Sequence, residues 1–260
     1  MKLLEATLLA TALFAATTLH AQGAMPIIDP LDLYGSTNTI TLFASYANDS
    51  SHIIIGQEQN RKLAELGIGY SRRIHRAKHF DFSWEPELRP FAYIRDPFVD
   101  GDSTIVVHGT PTIIIGLPFS GHFNGPTTAN CASGTTVYNG VTQNGVSYTQ
   151  TIAQQCSSRW TYAAGVSPLG LRFTFARQHR LEPFLVANGG MMISTVDVPV
   201  NNSSRANFTF EGGAGFEWFR DPHHAIALDY RLHHLSNGYR GFYNPGIDSQ
   251  VLRLSYRFGH

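Results

Sequence analysis

The chain has 260 residues, and 19 Lys plus Arg against 19 Asp plus Glu give a formal net charge of zero. Without a basic excess to neutralise phosphates, the composition argues against nucleic acid as a partner. Charged residues make up 15% of the chain, against about 25% in a soluble globular protein. Together with 12% aromatic residues and 24 glycines, this favours a β-rich protein over a helical bundle.

The first 21 residues have the pattern of a signal peptide. Lys2 is followed by an uncharged, mostly apolar run, Ala6–Ala16, and Leu19–Ala21 resembles a small-residue cleavage site. The run is too short to span a bilayer as a helix. We therefore expect residues 1–21 to be removed and residues 22–260 to be exported.

Downstream, apolar and polar residues alternate with a period of two, which is typical of strands that bury one face. Eight segments show the pattern: about 38–47, 62–74, 80–95, 158–175, 180–196, 206–219, 223–237 and 247–258. In 80–95 the odd positions as far as Arg89 are polar, and the even positions carry the apolar residues Phe80, Phe82, Trp84, Leu88 and Ile94. The phase slips near Pro168, which predicts a one-residue β-bulge.

The connections between these segments alternate in length. Three are short (75–79, 177–180 and 220–223), and four are long (48–61, 96–157, 197–205 and 237–246). Short turns at one end and long loops at the other predict an eight-stranded antiparallel up-and-down transmembrane β-barrel of the outer membrane. We expect 96–157 to be an extracellular insertion that extends the hairpin it interrupts.

Alternation alone does not say which face points inward, and a soluble lipocalin-like barrel would turn its apolar face to the core. The export signal and the asymmetric loop lengths favour lipid outside. The polar face also mixes opposite charges, such as Glu85, Glu87 and Arg89, which suits a narrow lumen filled by ion pairs.

The chain contains two cysteines, Cys131 and Cys156. In an exported protein we expect them to form one disulfide. The bond would staple the Ser-, Thr-, Asn- and Gly-rich stretch between them.

The last predicted hairpin carries three polar residues on its apolar face. Ile226, Leu228 and Tyr230 set the even positions as the lipid-facing side, and the even positions of the last strand are apolar too. By this parity His234, Ser236 and Asp248 all lie outside, at the loop end of two adjacent strands. Polar groups that face lipid are costly and need a reason.

Ser, His and a carboxylate are the components of a nucleophilic hydrolase, because the imidazole can activate the hydroxyl and the acid can orient the imidazole. A simpler interpretation is that these residues belong to a polar barrel rim, where Ser-Asn-Gly is common turn chemistry.

The sequences His234-Leu235-Ser236-Asn237 and Asn244-Pro245-Gly246-Ile247-Asp248 resemble the lipid A 3-O-deacylase (PagL) family. That family has a His-x-Ser pair and an acid twelve residues after the Ser, commonly Glu, for which Asp248 is a shorter substitute. The resemblance is strongest over about 223–258, is looser over 162–192, and is not expected to cover 96–157.

The resemblance implies an eight-stranded outer-membrane barrel that hydrolyses the ester-linked 3-hydroxyacyl chain of lipid A. Ser236 would be the nucleophile, His234 the general base and Asp248 the orienting acid. Asn237, Gly238 and Asn244 are candidates for stabilising the oxyanion or binding substrate.

No metal or cofactor is expected. The expected partners are lipid A or lipopolysaccharide as substrate and the surrounding membrane lipids, with a homodimer left open. Two alternatives stay open: a non-enzymatic barrel whose long loops bind a surface partner, and a soluble periplasmic lipid carrier.

Overall fold

The computed structural model describes residues 34–77, 79–109, 116–127, 131–176 and 179–259. The predicted signal peptide, residues 1–21, lies outside them. Within the described residues no helix is long and apolar enough to span a membrane.

The described residues form eleven β-strands in one sheet. They are β1 (Asn38–Ala47), β2 (Lys62–Arg76), β3 (Phe80–Trp84), β4 (Glu87–His108), β5 (Gly121–Pro126), β6 (Gly134–Val141), β7 (Ser147–Phe175), β8 (Leu181–Val198), β9 (Ser204–Asp221), β10 (His224–Ser236) and β11 (Ile247–Gly259).

The sheet closes into a ring of eight antiparallel members: β1, β2, the pair β3 and β4, and β7 to β11. The closing contact is made by β1, which pairs with β2 on one side and with β11 on the other. Closure leaves no free strand edge in the ring, which a sheet surrounded by lipid requires. The predicted up-and-down barrel is confirmed.

The third member of the ring differs from the single strand expected over 80–95. It breaks at Glu85 and Pro86 into β3 and β4, and the register shifts again between Arg89 and Ala92. Proline has no N–H to donate to the sheet, and Pro90 lies inside this second irregularity. The shift reverses the alternation, so Ile94 is buried in the lumen at 3% exposure, and the expectation that it faces outward was wrong.

The bulge predicted near Pro168 is confirmed, because the pairing of β7 with β8 shifts between Val166 and Leu169. β7 also begins eleven residues earlier than expected and pairs with β4 as far as His108 opposite Ser147.

The described part of 96–157 thus continues the β4–β7 hairpin beyond the ring, and we call this segment the extension. β5 adds to the free edge of β4, and β6 adds to that of β7. The Cys131–Cys156 disulfide is formed in the extension and ties the residues before β6 to β7, as predicted.

The outer wall of the ring is apolar. Large apolar side chains are exposed along every member, among them Leu42, Leu66, Phe91, Leu171, Leu185, Phe216, Leu228 and Leu254, which are 41 to 59% exposed. A continuous apolar band around a closed sheet is the surface that a bilayer covers.

The lumen is filled by ion pairs, as the mixed charges predicted. The carboxylate oxygens of Glu87 lie 2.7, 3.1 and 2.6 Å from guanidinium nitrogens of Arg89, Arg231 and Arg253. Glu211 lies within 3.3 Å of the same three arginines. A second group towards the short-turn end joins Glu85 and Glu217 to two further arginines, Arg172 and Arg257. Apolar side chains close the lumen on the long-loop side, including Leu63, Ile94, Leu235, Ile247 and Val251.

Candidate active site

Two of the three predicted catalytic residues face each other across the last hairpin. His234 of β10 and Asp248 of β11 are direct cross-strand partners. Further from the long loops, Leu228, Tyr230 and Leu252 lie on the same face of these two strands and are 47 to 55% exposed. This places the pair on the outer wall. The face predicted from the alternation is the one observed.

The two side chains share a hydrogen bond. His234 Nδ1 lies 2.6 Å from Asp248 Oδ1, so the carboxylate can fix the imidazole tautomer with the proton on Nδ1. The other ring nitrogen, Nε2, is buried and makes no hydrogen bond with any described residue. A neutral imidazole held in this way presents Nε2 as a free proton acceptor.

Loop 48–61, which joins β1 to β2, covers the acid. The main-chain N–H groups of Ile54, Ile55 and Gly56 donate to Asp248 Oδ2 at 2.5, 2.9 and 2.8 Å. Asp248 is therefore fully buried although its position on β11 faces outward. Three N–H donors and one imidazole satisfy the carboxylate and favour its charged form.

The same loop is fastened to the last hairpin. Gln57 N–H donates to the Pro245 carbonyl at 2.7 Å and Glu58 N–H donates to that of Gly246 at 3.2 Å. Arg61 anchors the loop from inside the extracellular mouth, with Nε 3.0 Å from Asp96 Oδ1. The geometry of the acid thus depends on β1 and β2 as well as on the hairpin that carries it.

Ser236 lies two residues beyond His234 on the same outward face and is half-buried. Its cross-strand partner on β9 is Phe208. The guanidinium of Arg240 lies 4.7 Å from the centre of the Phe208 ring, so a positive charge contacts the cross-strand neighbour of the serine. No hydrogen bond joins Ser236 to His234 in the described part of the chain.

The three remaining predicted residues lie in loop 237–246, directly after Ser236. The buried Asn237 donates through its side-chain Nδ2 to the Tyr243 carbonyl at 2.6 Å, and its main-chain N–H donates to Asn244 Oδ1 at 2.9 Å. Asn237 and Asn244 therefore hold the loop together. Gly238 has a φ of +60°, a left-handed conformation that glycine adopts without steric cost.

A possible metal-ligand cluster lies elsewhere, in the lumen. In the described ranges, the only group of three potential ligands is Glu65, Glu211 and His233, whose ligand atoms lie within 4.8 Å of one another. Arg89 Nη1 is 2.9 Å from Glu211 and 3.6 Å from Glu65, so a guanidinium already supplies positive charge there.

Sequence reasoning did not identify loop 48–61 or Arg240 as part of the site. Loop 48–61 is almost 200 positions away from Asp248, and it acts through main-chain N–H groups, which no residue type reveals. Gly56 was the one available signal, because only glycine fits so close to the acid.

The family model described as lipid A 3-O-deacylase (PagL) matches residues 119–257, which include all six predicted site residues. The chain belongs to the lipid A 3-O-deacylase (PagL) family. The match begins inside 96–157, so the expectation that this segment lies outside the resemblance was wrong for its second part. Family membership and the apolar outer wall identify the chain as a Gram-negative outer-membrane barrel.

Three solved structures show similarity over most of their length. The outer membrane enzyme PagL is 14% identical with a TM-score of 0.47, over 85% of this chain and 99% of that one. Neisserial surface protein A is 13% identical with a TM-score of 0.38, over 86% and 98%. OprG from Pseudomonas aeruginosa is 11% identical with a TM-score of 0.37, over 88% and 99%. No curated protein sequence matches this PagL-family chain.

Proposed function

We propose that the protein hydrolyses the ester that links a 3-hydroxyacyl chain to the glucosamine of lipid A, using Ser236, His234 and Asp248. The observation that carries the proposal is the His234–Asp248 hydrogen bond on the lipid-facing wall, with Nε2 of the imidazole unpaired among the described residues. An outward site is open to a substrate that stays in the outer leaflet, because lipid A can approach sideways.

In the proposed reaction His234 Nε2 takes the proton from the Ser236 hydroxyl as Oγ attacks the acyl carbonyl carbon. The tetrahedral intermediate collapses, the ester bond breaks, and the protonated imidazole gives its proton to the departing sugar oxygen, which leaves as a hydroxyl. A water molecule then attacks the acyl-serine by the same route and releases a 3-hydroxy fatty acid. Asp248 stays charged throughout and stabilises the imidazolium.

The oxyanion of the intermediate needs N–H donors near the Ser236 Oγ. Asn237, Gly238 and Asn244 form the loop that follows the serine, and the hydrogen bonds of Asn237 and Asn244 fix its course. We assign the donor role to the main-chain N–H of Gly238, with Asn237 and Asn244 as residues that position it.

Expression of the full chain in a Gram-negative outer membrane tests this function. Mass spectra of lipid A should show the loss of one 3-hydroxyacyl group. Ser236→Ala and His234→Asn should each abolish that loss, whereas Ser157→Ala and His108→Asn, which change exposed residues of the extension, should not. Unchanged lipid A in cells that contain the folded barrel, shown by heat-modifiable gel mobility, would refute the proposal.

The extension supports a second candidate function, binding of a partner at the cell surface. Its outer strands leave apolar side chains exposed, with Val137 at 57% and Val141 at 64%. If binding is the function, deleting residues 120–155 should abolish cell-surface capture of the partner, and Ser236→Ala should leave it intact.

A further inference from the structure

Two positive charges face each other on the lipid-facing wall. Lys62 of β2 and Arg95 of β4 are direct cross-strand partners. Lys62 lies on the same face of β2 as Leu66 and Ile68, and Arg95 lies on the same face of β4 as Phe91 and Tyr93. These four apolar or aromatic side chains are 43 to 54% exposed. Both side chains therefore project outward from the ring, next to each other.

Among the described residues, none neutralises either charge. Lys62 Nζ donates to the neutral Asn48 Oδ1 at 2.9 Å, and Arg95 Nε donates to the neutral Ser158 Oγ at 2.9 Å. No carboxylate of the described residues lies within 4.0 Å of either cation. Like charges directly opposite each other destabilise a sheet, so this pair calls for an external anion.

The surrounding residues place the pair at the depth of the lipid headgroups. Arg95 is also the cross-strand partner of Trp160, with its guanidinium 5.9 Å from the indole ring. One step further into the membrane, Tyr93 and Tyr162 have ring centres 5.7 Å apart. Aromatic residues form such girdles where a barrel wall meets the headgroup region.

The pair also lies on the long-loop side, near the candidate active site. Tyr46 of β1 is paired with Ala64 on β2 and Leu252 on β11, and Lys62 and Gln250 are each two residues further towards the long loops. With strands about 4.8 Å apart, Lys62 is therefore about 10 Å around the wall from β11.

We propose that Lys62 and Arg95 bind a phosphate group of an outer-leaflet glycolipid. The guanidinium can donate two parallel hydrogen bonds to phosphate oxygens, and the ammonium adds a point charge. Lipid A is a phosphorylated glucosamine disaccharide and is present in the leaflet that this surface contacts. The proposal rests on the barrel lying in the outer membrane and does not depend on the proposed hydrolysis.

Binding to the purified full chain in detergent tests the proposal. The probe is lipid A that already lacks its 3-O-linked acyl chain, so turnover cannot interfere. Wild type should bind this probe about tenfold more tightly than its dephosphorylated form, since hydrogen bonds to charged groups are stronger than those to neutral groups. Lys62→Gln and Arg95→Gln should each lose most of that preference, and Lys62→Arg should keep it.

Arg205→Gln is the matched control, because Arg205 is an exposed arginine on β9 that already lies near Asp197. A preference for the phosphorylated probe that survives in Lys62→Gln and Arg95→Gln would overturn the proposal, as would its absence in wild type. Displacement of the probe by an equal concentration of inorganic phosphate would indicate a free-anion site and would overturn the assignment to a membrane lipid.

A stability measurement separates binding from a structural role. In lipid-free detergent, Lys62→Gln should raise the midpoint of heat unfolding or leave it unchanged, because it removes one of two opposed positive charges. Adding the phosphorylated probe should raise the midpoint of wild type more than that of the variant. A lower midpoint for Lys62→Gln without lipid would contradict the proposal.

Discussion

Gly56 lies so close to Asp248 that a Cβ atom at position 56 would be 2.6 Å from the Asp248 nitrogen and 2.8 Å from its Cγ. Gly56 also donates one of the three main-chain hydrogen bonds that Asp248 Oδ2 receives. The fit of loop 48–61 over the acid therefore depends on the absence of a side chain at this position.

Gly56→Ala should displace loop 48–61 and reduce lipid A deacylation about a hundredfold, a loss typical of a catalytic group moved by about 1 Å. Gly212→Ala is the control, because nothing lies within 4 Å of a Cβ atom built there. Quantitative mass spectrometry of lipid A, with folding checked by gel mobility, gives the comparison. Equal activity of the two variants would show that the loop does not position the acid.

Substitutions of Asp248 itself should be more severe. Asp248→Asn keeps the size of the side chain, but its amide cannot stabilise an imidazolium, so we expect about a 10⁴-fold loss of rate. Asp248→Glu restores the acid common in the family but adds a methylene under a closely fitted loop, and it should also lower the rate. Full activity of Asp248→Glu would mean that loop 48–61 adapts freely to the longer side chain.

The alternation of residues was sufficient to predict the ring, its lipid-facing side and the outward position of His234 and Asp248, because strand geometry fixes side-chain direction with a period of two. It failed at Ile94, where Pro90 and the adjoining register shift reverse the phase. Loop 48–61 could not be predicted, because its contact with Asp248 uses main-chain N–H groups that depend on the tertiary fold.

The ion pairs in the lumen should stabilise the barrel. Glu87→Gln removes the carboxylate shared by Arg89, Arg231 and Arg253, and leaving buried positive charge uncompensated should cost about 3–5 kcal/mol of unfolding free energy. Asp197→Asn, at the exposed pair with Arg205, should cost less than about 1 kcal/mol. Denaturant unfolding in lipid vesicles, followed by tryptophan fluorescence, measures both. A loss for Glu87→Gln as small as that for Asp197→Asn would contradict a structural role for the network.

The disulfide should stabilise the extension and not the ring. Cys131 and Cys156 are 25 residues apart, and closing a loop of this length removes about 3 kcal/mol of chain entropy from the unfolded segment. The double variant Cys131→Ser with Cys156→Ser should therefore be cleaved faster by protease within the extension. Gel mobility of the ring and lipid A deacylation should stay at wild-type levels, and loss of either would show that the extension supports the site.

Loop 48–61 should dock more weakly against the last hairpin as the pH rises. The pKa of Glu58 is raised from 4.5 to about 7, because the effect of burial, to which nearby Asp96 adds, outweighs the opposing effect of Arg61. Between pH 4.5 and about pH 7, Glu58 keeps its proton in the docked loop but has lost it in the released loop. Docking is therefore strongest below pH 4.5, weakens up to about pH 7 and is constant above that. Hydrogen-exchange protection of the Gly56 amide, corrected for the intrinsic exchange rate, should follow this course. Glu58→Gln should reduce the pH dependence, and a dependence as large as that of wild type would assign it to another group.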